Sequence, residues 1–232
     1  MRHYCAPHWT VSRQIGGQRL FFDLNDNLDD FTRRDLLERE ATLPFLTSCF
    51  SGLVWDVGAN IAQFAVPMSA QGNRVIAFDI SPQCCALLEH APRYNRLPIT
   101  VVPRPRGVTA FTFTPPCTAR ATEQLHVSDA TNSTDRAITV QEAVDSFGLP
   151  HLVTMDIEGA ENDFFLSNVW KEWLCANAVH WVVELHPELL DLRVVWNDLP
   201  CLQLDQHHLL FHVDAERITY LREQWQAIAK CR

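Results

Sequence analysis

The sequence predicts an α/β fold, a mostly parallel sheet covered by helices on both faces. Three observations predict it. From Leu53 onward short apolar runs alternate with amphipathic ones, and strands that alternate with helices pack as a parallel sheet between two helical layers. The run "LVWDV" (53–57) leads straight into Gly58 and Asn60, a strand-to-helix turn of the kind that faces a ligand at the carboxyl edge of such a sheet. "LVTMDI" (152–157) and "VHWVVEL" (179–185) repeat the pattern, each with an acidic residue near its end.

In chain order, residues 1–48 read as an N-terminal extension packed on the core, with a strand in "GGQRLFFDL" (16–24) and a helix over 28–46; residues 49–232 form the main domain. After the strand 53–57, Ile61, Phe64, Ala65 and Met68 have the i, i+3, i+4, i+7 spacing of a helix over Asn60–Ala70, which Pro67 should kink or shorten. "RVIAFDI" (74–80) is the second strand, followed by Ser81 and Pro82 as N-cap and first helical residue. "ITVV" (99–102) is the third. Residues 103–137, rich in Pro, Thr and Ser, read as loop apart from a strand at 108–113. A short strand at "ITV" leads to a helix closed by Gly148; strands at 152–157, 179–185 and 208–213 follow, with a helix from about Ala160 and a last one opening at Asp214.

Composition narrows the function classes. A chain of 232 residues with 47% hydrophobic and 20% charged residues is ordinary for a globular domain that holds its core without disulfides. The net charge of −9 predicts that nucleic acid is not a partner, because phosphate binders carry a basic face. No apolar run reaches the length of a membrane span, and the N-terminus lacks the apolar centre of a signal peptide. The expectation is a cytoplasmic protein that does not engage membranes. Its eight cysteines show neither a C-x-x-C pair nor zinc-finger spacing, so they read as reduced thiols.

The glycine turn carries the cofactor argument. Asp79 lies 21 residues after Gly58, the distance at which an acidic side chain at the next strand end accepts hydrogen bonds from two ribose hydroxyls. Both dinucleotides and S-adenosylmethionine have such a ribose. A dinucleotide turn reads G-x-G-x-x-G, whereas here Gly58 is alone in the run 58–63. Asp56 would repel a pyrophosphate and attract a sulfonium with its ammonium group. The charge logic selects S-adenosylmethionine, with helix capping as the plainer role for Asp56. On this reading Asp56→Ala abolishes cofactor binding and leaves the fold intact.

"DVGAN" (56–60), "FDISP" (78–82), "DIEGAE" (156–161) and "VELHP" (183–187), in this order, resemble the FkbM family of S-adenosylmethionine-dependent methyltransferases. The likeness covers about residues 53–190. It implies a class I Rossmann-like methyltransferase fold with a seven-stranded sheet whose last strand is antiparallel, and O-methylation of a hydroxyl on a small molecule, sugar or glycan. By position it implies that Asp56, Gly58, Ala59 and Asn60 line the cofactor's methionine end, that Asp79 and Ile80 hold the ribose side, and that Asp156 and Glu158 lie where cofactor meets acceptor. The chain departs from the family at Ala62, where a second glycine is usual, at Asp79-Ile80, where an acidic-proline pair is usual, and at Thr154, where a lysine is usual.

Methyl transfer to an alcohol calls for a base to take its proton. His186 is the leading candidate, followed by Glu158, with Asp156 beside them. Asp156, Glu184 and His186 would also serve as ligands if a divalent metal were used, which nothing in their spacing requires. "HHLLFH" (207–212) reads as a strand in which His208 and His212 are structural. The alternatives to a methyltransferase are a nucleotide-dependent oxidoreductase on a related sheet and a non-catalytic protein that binds the same cofactor.

Overall fold

A computed structural model describes residues 9–15, 17–24, 42–103, 106–107, 138–157, 168–185 and 197–230. Its strands are β1 (Trp9–Ile15), β2 (Gln18–Leu24), β3 (Leu53–Val57), β4 (Arg74–Phe78), β5 (Ile99–Val102), β6 (Arg106–Gly107), β7 (Ile138–Thr139), β8 (Leu152–Met155), β9 (His180–Glu184), β10 (Cys201–Gln203) and β11 (His208–Phe211). Its helices are α1 (Thr42–Cys49), α2 (Ala65–Ala70), α3 (Pro82–Asn95), α4 (Val140–Phe147), α5 (Asn168–Asn177) and α6 (Ala215–Lys230).

Seven strands form one sheet in the order β10-β11-β9-β8-β3-β4-β5. β9, β8, β3, β4 and β5 are mutually parallel, while β11 runs antiparallel to both of its neighbours. This is the mostly parallel sheet, with an antiparallel last strand, that the sequence predicts. β4 leaves β3 on one side and β8 pairs with it on the other, so the topology switches at the end of β3, where open α/β sheets bind ligands.

Apolar residues fill both faces. On one, Val54, Val75 and Val182 meet Phe45 and Leu46 of α1, Met68 of α2, Leu88 of α3 and Ile218 of α6. On the other, Trp55, Phe78 and Trp181 meet Ala143 of α4 and Leu174 of α5. Each large side chain taken out of water here contributes roughly 1.5–3 kcal/mol.

The helix ends follow their residues. Ser81 Oγ accepts the Cys84 N–H and Pro82 opens α3. Thr139 and Glu142 form a reciprocal capping box on α4, and Gly148 closes it with φ +95°. Asp214 Oδ1 accepts the Glu216 N–H at the start of α6.

Two differences from the sequence expectation have plain causes. The helix expected over Asn60–Ala70 is reduced to α2, because Asn60 (φ +46°) and Ala62 (φ +69°) take left-handed conformations that a right-handed helix cannot contain. Pro67 then falls in the first turn, where a missing N–H leaves no bond unmade. The hairpin arm β1 is an unpredicted strand; the Gly16-Gly17 dipeptide between Ile15 and Gln18 is its sequence signal. Asn95 of α3 reads this hairpin like a strand, donating to Phe21 O and accepting from Phe21 N at 2.7 and 2.8 Å. The predicted strand at 108–113 and the helix segments over 28–41 and 160–167 lie outside the described residues.

Candidate cofactor and acceptor site

Gly58 stands at the switch point with φ +78°. A Cβ built there would lie 1.6 Å from the carbonyl oxygen of Asp156, so only glycine lets the β3 turn pass the end of β8. The turn is tied down on its other side, with Gly58 and Ala59 both donating to Phe78 O at 3.0 and 3.1 Å. Asn60 N donates to Asp79 Oδ2 at 2.8 Å, and Ala62 N to Ala59 O at 2.7 Å. Those four amides are thus engaged within the protein. A pyrophosphate cradle needs such amides pointing at the ligand, and this turn does not present them.

Asp56 is not a carboxylate displayed at the turn. It is 2% exposed and faces inward from β3. Oδ2 accepts the Ala65 N–H at 3.0 Å and so caps α2, while Oδ1 accepts the hydroxyl of Thr154 on β8 at 2.7 Å. Asp56 and Thr154 are register partners across the β3–β8 boundary, so Thr154 answers this carboxylate with a neutral hydroxyl. The expectation that Asp56→Ala spares the fold is therefore corrected: Asp56 joins β3 to β8 and α2, and its removal takes the acceptor from the buried Ala65 N–H and leaves the Thr154 hydroxyl only Trp55 O at 3.4 Å.

Asp79 leaves β4 beside the turn, with Oδ2 on Asn60 N and Oδ1 on Ser81 N, each at 2.8 Å. Burial pushes its carboxyl up, and the Ser81, Asn60 and Ile80 amides only partly oppose this. Each oxygen keeps lone-pair capacity for a ribose hydroxyl. Cys84 and Cys85 flank it, with Cys85 Sγ 3.5 Å from Asp79 O and Cys84 Sγ 3.5 Å from Asn60 Oδ1. Burial, then the charge of Asp79, pushes both thiols up to about 12.

On the other side of the turn lie the ends of β8, β9 and β11. Asp156 directly follows β8 and donates its N–H to Val57 O at 2.9 Å. Met155 is paired with Val183, so Glu184 is level with Asp156 on the adjacent strand. Glu184 is in turn the register partner of His208. His208 is 3% exposed, with Nε2 3.4 Å from Glu184 Oε2 and Nδ1 2.7 Å from Asp205 Oδ1. Asp205 also accepts the His207 and His208 amides and the Thr42 hydroxyl. Burial opposes its ionisation, but the His208 ring, the Thr42 hydroxyl and the His207 amide outweigh that and hold it at about 2. The Phe64 ring, just past the glycine turn, meets the His208 ring edge-on at 5.9 Å between centroids.

Sequence reasoning read His208 as a strand residue and did not connect it to Asp205 or Glu184. The D-x-x-H spacing of Asp205 and His208 was the available signal. His212, on the opposite edge of the sheet, is 3.0 Å through Nε2 from Ala178 O. Glu158 and His186, the two candidate bases, lie outside the described residues. Among the described residues no group of three His, Cys, Asp or Glu side chains has the arrangement of a metal site, and no helix is long and apolar enough to cross a membrane.

No family model matches the chain, and no curated protein is similar to it in sequence. Solved structures do match. The 16S rRNA N2 G1207 methyltransferase of T. thermophilus, in complex with AdoMet and guanosine, superposes with a TM-score of 0.54 at 14% identity, over 89% of this chain and 50% of that one. A Streptococcus mutans protein taken to be a SAM-dependent methyltransferase superposes with a TM-score of 0.50 at 12% identity, over 88% of this chain and 55% of that one. The fold is that of S-adenosylmethionine-dependent methyltransferases. This chain spans about half the length of the two chains it matches here.

One expectation is overturned. A net charge of −9 was read as excluding nucleic acid, yet a chain of this fold acts on ribosomal RNA. Net charge sums the whole surface, whereas a substrate meets the local field of one cleft, so the exclusion does not stand.

Proposed function

We propose that this protein is an S-adenosylmethionine-dependent methyltransferase and that its acceptor atom is a hydroxyl oxygen. The observation that carries the reading is the glycine turn at the β3–β8 switch, with Asp79 on one side and Asp156 on the other and its amides turned inward. That arrangement suits a cationic cofactor with a ribose and does not suit a pyrophosphate. The FkbM-like motifs support hydroxyl methylation of a small molecule, sugar or glycan.

When bound, the cofactor supplies an electrophilic methyl group on a sulfonium. The protein's share is placement. Asp79 would accept the two ribose hydroxyls, and Gly58, Ala59 and Asn60, with Ile80 beside Asp79, would set the depth to which the cofactor enters. Asp56, buried beneath the turn, would when ionised add a negative potential beneath the sulfonium and ammonium groups, which the low dielectric there strengthens. Aligning oxygen, methyl carbon and sulfur in line supplies much of the rate.

Calorimetric titration with S-adenosylmethionine, S-adenosylhomocysteine and NAD⁺ tests this. Micromolar affinity for the first two and none for NAD⁺ is expected. Tight NAD⁺ binding would instead point to an oxidoreductase. Cofactor affinity without transfer to any acceptor would leave a binding protein.

A further inference from the structure

The cluster Glu184–His208–Asp205 joins β9, β11 and the turn before β11, and Asp205 also ties that turn to Thr42 of α1. A buried strand pair ordinarily places apolar residues at register positions. Here the pair at the carboxyl edge is Glu184 and His208, although the next pair of the same face is Val182 and Leu210. His208 is sealed from solvent, while the Glu184 side chain keeps 17% exposure on the edge shared with Asp156. Asp205 fixes the His208 ring through Nδ1, which directs Nε2 toward Glu184.

The charge state follows from the partners. Asp205 is ionised at neutral pH. If His208 were neutral with its proton on Nδ1, the Nε2 lone pair would face a carboxylate at 3.4 Å. Protonation of the ring converts that repulsion into attraction on both sides, and an imidazolium between two carboxylates is the arrangement that buries the least uncompensated charge. The described groups facing His208 are Asp205, Glu184 and the Phe64 ring.

We propose that Glu184 is the proton acceptor for the methyl acceptor's hydroxyl, with His208 and Asp205 as the residues that position it and keep it ionised. The inference rests on the methyltransferase reading above. The acceptor's O–H bond breaks and its proton passes to Glu184 Oε1 or Oε2. The O–CH₃ bond forms as the S–CH₃ bond of S-adenosylmethionine breaks, leaving S-adenosylhomocysteine, and Glu184 then returns its proton to water.

Two kinds of measurement test this in the full chain. The first needs no acceptor: ¹⁵N-histidine NMR across a pH series. His208 should be an imidazolium at pH 7, and Glu184→Gln should lower its proton affinity at least about tenfold, because one of its two flanking charges is gone. A neutral His208 at pH 7, or a titration unmoved by Glu184→Gln, overturns the proposal. The second follows labelled methyl transfer from S-adenosylmethionine to polyols, glycosides, phenols and guanosine-containing RNA, with S-adenosylhomocysteine affinity measured in parallel. Glu184→Gln should keep that affinity and lose roughly 10²–10⁴-fold in kcat with KM little changed. Asp205→Asn should move the acidic limb of the kcat profile to higher pH, because the imidazolium that stabilises ionised Glu184 is weakened. A purely structural Asp205 would not move that limb. Unchanged turnover in Glu184→Gln refutes the role of Glu184, whereas failure of the unsubstituted protein to bind S-adenosylhomocysteine refutes the methyltransferase reading instead.

Discussion

The hydroxyl of Thr154 donates a 2.7 Å hydrogen bond to Asp56 Oδ1, linking two strands whose residues lie 98 positions apart. With the Ala65 N–H on Oδ2, this makes Asp56 a joint of the fold. Asp56→Ala should cost about 2–5 kcal/mol, since the buried Ala65 N–H loses its partner at about 1–3 kcal/mol and the Thr154 hydroxyl, left with Trp55 O at 3.4 Å, loses about 1–2 kcal/mol. Thr154→Val should cost only about 1–3 kcal/mol. Urea denaturation of the two variants checks the order, and equal stability of Asp56→Ala and the parent would refute it.

Gly58→Ala should be more severe. The added carbon would sit 1.6 Å from Asp156 O, a backbone atom, at a φ of +78°. The end of β3 would have to part from the end of β8, at a cost of at least about 3–4 kcal/mol. A thermal melt reads this directly: a variant with the parent's Tm would show that the turn relaxes freely.

Ala62 presents the opposite case. Its φ of +69° costs about 1–2 kcal/mol for a residue with a Cβ. Ala62→Gly relieves that strain and adds roughly 0.5–1 kcal/mol of unfolded-chain entropy. The net should be a gain of up to about 1 kcal/mol in denaturant titration, and a clear loss would mean that the buried methyl contributes more by packing.

His180 makes stability depend on pH. Its ring stacks on His212 at 4.1 Å between centroids, its Nδ1 lies 3.1 Å from His151 O, and its Nε2 accepts from Arg217 Nε at 3.2 Å. Burial first, then His212, lowers its pKa to about 4 from the usual 6.5. Because the folded value lies below the unfolded one, the neutral ring's contribution is present above pH 6.5 and is lost as pH falls toward 4. That loss is on the order of 2–3 kcal/mol. Unfolding free energies between pH 7 and 4 should show it, and His180→Asn should flatten the slope.

The thiols offer a simple chemical check. Cys84 and Cys85, buried beside Asp79 and held up to about 12, should resist an alkylating reagent at pH 8 in the folded protein, while exposed Cys175 reacts. Bound S-adenosylhomocysteine should leave Cys175 unaffected. Rapid labelling of Cys84 would contradict the packing around Asp79.

What the sequence by itself determined is everything with a short period. Alternating apolar runs placed β3, β4, β5, β8, β9 and β11 within a residue or two, and Ser81-Pro82, Gly148 and Asp214 marked helix ends through interactions spanning three or four residues. The location of Asp79 relative to Gly58 belongs here too, because one strand–helix–strand unit sets it. Tertiary structure alone decided which groups meet. That Gly58 yields space to Asp156 O, that Asp56 is bonded to Thr154, and that Glu184 opposes His208 all depend on strand order and register. Pairing across a sheet joins residues far apart in the chain, and a shift of one position turns every side chain to the other face. Local periodicity therefore names the strands and leaves their partners open, and Asp156, Glu184 and His208 come together only through such partners.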